Sequence, residues 1–186
     1  LIEGDLNPRS RSDPYGRRIN REHSRLLATA LPYATIVLGS ILPTLFISVS
    51  VPFVPPLGFL ILIGWRLMRP GLLPSWAGLP LGAIDDLFSG QPFGSAILLW
   101  SLTMLAIEWF EARFPWRGFA QDWVAAILAI AAYVVLAMFV SGADLTPNMV
   151  IAIIPQLLLS ILLYPMIAAM VSSLDRLRLM RIREIR

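Results

Sequence analysis

The chain has no cysteine, no lysine and a single histidine; all fifteen basic residues are arginine. Without cysteine there is no disulfide, no thiolate nucleophile and no zinc–cysteine site. The one histidine, His23, lies in a polar, arginine-rich stretch, so histidine-based catalysis and metal binding have nothing to build on. Charge of either sign is also scarce. Charged residues make up 15% of the chain, 57% is hydrophobic, and mean hydropathy is +0.72. Soluble domains average nearer a quarter charged. Long apolar runs with so few charges point to an all-α integral membrane protein.

A net charge of +3 and a pI near 9.9 raise nucleic acid as a partner. No base-reading motif or aromatic-interleaved basic stripe accompanies that charge. The arginines instead flank apolar runs, where they set orientation in a bilayer. No nucleic acid, cofactor or metal is expected.

Six apolar segments follow one another, at about 26–50, 56–68, 72–88, 93–113, 119–140 and 149–173. The first is long enough for a hydrocarbon core of roughly 30 Å, with Pro32 and Pro43 expected to bend it or mark its ends. The second is too short to cross as a vertical helix and is expected to start deep, with the VPFVPP turn at 51–56 lining part of its path. With six crossings, every arginine falls on the side of the two termini: the tail 1–25, the turns at 66–69 and 113–117, and the tail 174–186. The other three turns have none, so both termini are expected in the cytoplasm. The expected organisation is a flexible basic tail (1–25), a six-span membrane domain (26–173) and an arginine-rich tail (174–186) that touches anionic lipid or a partner.

One stretch stands out, GAIDDLFSGQPFG at 82–94. Gly78, Gly82, Asp86, Gly90 and Gly94 recur at intervals of four, which on a helix is one face. Gly78 and Gly82 make a GxxxG surface for close helix approach. Asp86 continues that face and is expected to point into the bundle. Backbone N–H groups at the start of the fourth segment, near Phe93 and Gly94, would satisfy it. Asp85, rotated by about 100°, is expected to point sideways, toward a partner or the aqueous turn. Ser89 and Gly90 end the helix. The plainer reading of the two aspartates is a polar helix end near the interface. A catalytic carboxylate pair is disfavoured, because adjacent helical residues diverge rather than face one another.

Arg66 lies at a depth comparable to Glu108, and the two form a candidate intramembrane ion pair; the alternative is that each snorkels to the interface. Glu111 shares the fourth segment with Glu108, three residues on. Asp122 and Asp144 lie near span ends, where water reaches them. Trp65, Trp76, Trp109, Trp116 and Trp123 fall near basic-side boundaries, as an aromatic belt would; Trp100 lies deeper, packed in the bundle or against lipid. Pro155-Gln156 and Tyr164-Pro165 in the sixth segment are expected to give a kink or an interhelical hydrogen bond.

The motif resembles the signature of the rod shape-determining protein MreD family, a pattern like G-x-x-x-D-x-x-S-G-x-x-x-G, read here as Gly82, Asp86, Ser89, Gly90 and Gly94. Pro56, Trp65 and Pro70 around the short second segment, and Tyr164-Pro165 before the last arginines, fit the same pattern over roughly 26–178. The resemblance implies a non-catalytic scaffold of the bacterial cell-wall elongation (Rod) complex in the inner membrane. Its implied partners are an MreC-like protein, a RodA-type glycosyltransferase, a class B penicillin-binding transpeptidase and MreB filaments. It also implies a bundle similar to the substrate-binding subunits of energy-coupling-factor transporters. The alternative is a membrane substrate-binding subunit of a vitamin-type transporter, which would need a pocket, with Asp86 and Trp100 as candidate lining. An intramembrane enzyme lacks a Ser-Lys, His-Glu or metal constellation.

Overall fold

In the computed structural model, residues 25–46, 54–113, 118–142 and 147–178 are described. Six α-helices follow in order: α1 (Arg25–Phe46), α2 (Leu57–Met68), α3 (Gly78–Phe88), α4 (Ser95–Arg113), α5 (Phe119–Val140) and α6 (Pro147–Arg178). One 3₁₀ turn, Ser75–Ala77, leads directly into α3. The expected tail 1–25 lies almost wholly outside the described residues, as do Trp116, Asp144 and the last arginines from 181 on.

α2 is the hub. Its sequence, LGFLILIGWRLM, is apolar all round apart from Arg66, the pattern of a helix enclosed by protein. Ten consecutive residues from Gly58 to Leu67 are buried, and α1, α4, α5 and α6 all pack on it. At about 1.5 Å per residue it is far shorter than a bilayer core. Enclosure, rather than lipid, accounts for its hydropathy.

Association inside a bilayer gains little from hiding apolar surface, so close packing and polar contacts must hold the helices together. Glycine provides the approach between α1 and α2, where a Cβ on Gly39 would stand 3.2 Å from the Gly58 Cα. Phe59 of α2 stacks on Tyr133 of α5 with centroids 4.0 Å apart and meets Trp100 of α4 at 6.1 Å. Trp100 is fully buried, so of its two expected settings the bundle interior is the one observed.

Three stretches are long and apolar enough to cross a membrane: Ser95–Arg113, Ala120–Val140 and Ile153–Arg178. They carry the outward apolar surface, with Leu98, Leu128, Leu162 and Met166 all at least half exposed. The molecule is therefore a helical membrane-spanning bundle.

The structure corrects several boundaries. The third segment becomes helical at Gly78 rather than near 72, because Pro74 is extended and only a 3₁₀ turn separates it from α3. α6 runs to Arg178, so 174–178 are helical. Pro32 and Pro43 both lie inside α1 and end nothing. Trp65 is no belt residue: it is fully buried, and its indole N–H donates to Thr35 Oγ1 at 2.9 Å. Trp76, Trp109 and Trp123 are exposed, in keeping with a belt.

Candidate functional site

The α3–α4 hairpin is built around Asp86. The last residues of α3 and the turn 89–94 bring the carboxylate over the start of α4, whose first-turn N–H groups have no partner within their own helix. The Gly94 N–H donates to Oδ2 at 2.8 Å and the Ile97 N–H to the same oxygen at 3.2 Å. The Ala96 N–H donates to Oδ1 at 2.8 Å and the Ser95 hydroxyl to Oδ1 at 3.0 Å. Asp86 thus caps α4 from a neighbouring helix. Every one of these contacts on its two oxygens comes from a donor.

Below the cap, the small residues let α3 and α4 touch along their backbones. A Cβ on Gly82 would meet the Ala96 carbonyl oxygen at 2.7 Å, and one on Gly78 would meet the Ser101 nitrogen at 2.9 Å. Gly78, Gly82 and Asp86 therefore face one helix together. Gly94 sits at φ +101°, a conformation that side chains other than glycine's rarely adopt, and this turn puts its N–H under the carboxylate. Ser89 is exposed at the C-cap of α3 and does not touch Asp86; its hydroxyl accepts only a long bond from the Gln91 N–H, 3.5 Å. Gly90, at φ +69°, completes the turn.

Asp85 departs from expectation. It is 7% exposed, and it faces a pocket between the helices that opens beside the exposed turn after α3. It borders a cavity of about 260 Å³ with Ser40, Thr44, Ser89, Gln91, Tyr133 and Gln156. Val54, Pro55 and Pro56 form part of its wall, and Gln156 Nε2 donates to the Val54 carbonyl at 3.2 Å, an interelement bond of the kind expected of α6. Asp85 and Tyr133 line this pocket, whereas Asp86 and Trp100, the candidate lining of a transport subunit's pocket, do not. Its polar residues come from four helices and the turn after α3, so no local sequence signal could have gathered them.

The opposite end of the bundle holds the ion pairs. Arg66 pairs with Glu111, not Glu108: Arg66 Nη2 lies 3.0 Å from Glu111 Oε2, with side chains 5% and 18% exposed, and Glu108 is exposed. The correction follows from helix rotation, since residues three apart differ by about 60° in direction and only Glu111 faces α2. Asp175 of α6 joins Arg69, which donates Nε–H at 2.7 Å, and Arg178, whose Nη2 lies 3.2 Å away. Arg178 also stands 6.0 Å from the Trp65 ring centroid. Asp175 was missed because it sits among arginines beyond the expected span. Among the described residues no group of three or more His, Cys, Asp or Glu side chains could hold a metal ion.

The family model described as rod shape-determining protein MreD matches residues 21–177. The chain belongs to the MreD family. No curated protein and no solved structure matches it. MreD-family proteins are non-catalytic, and the motif that resembles the family signature serves in this member as a helix cap and a close-packed hairpin.

Proposed function

We propose that this MreD-family chain is a scaffold of the cell-wall elongation machinery in the bacterial inner membrane. It would partner an MreC-like protein and, through that complex, a RodA-type glycosyltransferase, a class B penicillin-binding transpeptidase and MreB filaments. Family membership over 21–177 is the observation that carries this reading. The use of Gly78, Gly82, Asp86, Ser89, Gly90 and Gly94 in a rigid hairpin, rather than around a reaction centre, agrees with it. The proposed topology has six passes with both termini in the cytoplasm, in keeping with the arginine distribution. The short α2 and α3 would be sheltered by the longer helices. A bundle plan like that of energy-coupling-factor substrate subunits is part of the same proposal.

The test is a mild-detergent pull-down of the tagged chain from native membranes, read by mass spectrometry. Recovery of an MreC-like protein with the glycosyltransferase and transpeptidase is the expected result. Recovery of a transport ATPase module instead would replace the scaffold with a vitamin-type carrier, a second reading that the polar cavity beside Asp85 keeps open.

A further inference from the structure

The cavity beside Asp85 has a charge environment unlike the rest of the molecule. Among the described residues, its single charged lining residue is a carboxylate. The ion pairs of Arg66, Arg69 and Arg178 gather at the far ends of α2 and α6, one helix length away. Asp86, the adjacent carboxylate, is already engaged by four donors; Asp85 has no such set. Ser40, 4% exposed, sets its hydroxyl against the Asp85 carboxyl, and its Oγ has no further partner among the described residues. A carboxylate and a hydroxyl are therefore aimed at one space, ringed by the amides of Gln91 and Gln156 and the ring of Tyr133. The buried members of this set, Asp85 and Ser40, are costly to leave unmatched.

We infer that this cavity binds a compact ammonium group, seated against Asp85 and Ser40. Charge selects a cation. The lone carboxylate, with no second acidic or histidine ligand among the described residues, favours an ammonium over a divalent metal ion. Neutral acceptors from Ser40, Gln91, Gln156 and Tyr133 suit its three N–H donors. The volume, about 260 Å³, lies at the small end for ligand pockets, enough for a small amine or a lipid headgroup but not for a folded partner. The inference does not depend on the scaffold reading, because the same site would serve a scaffold or a carrier.

Two probes distinguish the source of the ammonium. Ethanolamine is titrated into the full-length purified chain in uncharged detergent, with sodium chloride at matched ionic strength as control, and thermal unfolding is followed by tryptophan fluorescence. In parallel, native mass spectrometry compares retention of phosphatidylethanolamine with that of phosphatidylglycerol. The expected result is saturable stabilisation by ethanolamine, preferential retention of phosphatidylethanolamine, or both, with apparent affinity at least tenfold weaker in Asp85→Asn. A response to ethanolamine alone assigns a free amine; lipid retention alone assigns a headgroup. Should Asp85→Asn fail to fold, Ser40→Ala removes only the hydroxyl beside Asp85 and should weaken the same response several-fold. If ethanolamine acts no differently from sodium chloride and neither lipid is preferred, or if the variants respond like the parent chain, the inference is overturned.

Discussion

Removing the Asp86 carboxylate would leave three backbone N–H groups without their acceptor at the buried start of α4, and the Ser95 hydroxyl with only Gln91 Oε1 at 3.3 Å. Loss of a cap and of buried acceptors together costs on the order of 2–4 kcal/mol. Asp86→Ala should therefore lower the unfolding temperature in detergent markedly. Asp85→Ala strips a buried carboxylate that no comparable donor set stabilises, so its effect should be clearly smaller. Equal losses in the two variants would contradict the cap. In cells, Asp86→Ala should disturb rod shape more than Asp85→Ala at matched protein levels. The Arg66–Glu111 pair makes a second residue-scale test. Arg66→Ala should cost about 3–5 kcal/mol, as when one partner of a buried pair is removed, whereas Glu108→Gln, on an exposed side chain, should be near neutral. Combining Arg66→Met with Glu111→Leu should recover most of the loss in the same thermal assay.

Among the elements, the α3–α4 hairpin is the one whose geometry depends on absent side chains. Gly82→Ala forces a Cβ against the Ala96 carbonyl and the Ile97 Cα, backbone atoms that cannot swing aside. Overpacking of this kind costs roughly 1–3 kcal/mol. Gly94→Ala meets no neighbouring atom but must hold φ near +101°, a backbone cost of about 1–2 kcal/mol. Gly118, at φ −132° with open space around it, is the milder comparison, and Gly118→Ala should cost only the N-cap preference of glycine over alanine, about 0.5 kcal/mol. The four-residue glycine spacing and the inward turn of Asp86 were legible because both follow from helical periodicity. The register of Asp85 was not. Its direction relative to Asp86 is a helix property, but whether that direction meets water or another helix depends on where α1 and α2 stand. The same holds for Trp65, whose position near arginines reads as a boundary while its actual surroundings are Thr35, Arg178 and the bundle interior.

For the whole molecule, the testable quantity is the sidedness of its ends. The chain has no cysteine, so single cysteines can be introduced without a background. Ser141→Cys, in the exposed turn after α5, should react with a membrane-impermeant maleimide on intact spheroplasts. Ala112→Cys, exposed near the end of α4, should react only after permeabilisation. The reverse pattern would invert the proposed topology.

Composition alone determined that this chain enters a membrane, since a sequence that is 57% hydrophobic and 15% charged, with its charges clustered between apolar runs, satisfies a bilayer better than water. Helical spacing determined which face of the glycine–aspartate motif packs inward. Tertiary structure decided the partners. It chose Glu111 over Glu108, set Asp86 over the N-terminus of α4, and turned Asp85 toward Ser40 and Gln156 from distant helices. Periodicity fixes directions around one helix axis, whereas a contact needs two axes and their separation, which only the packed bundle supplies.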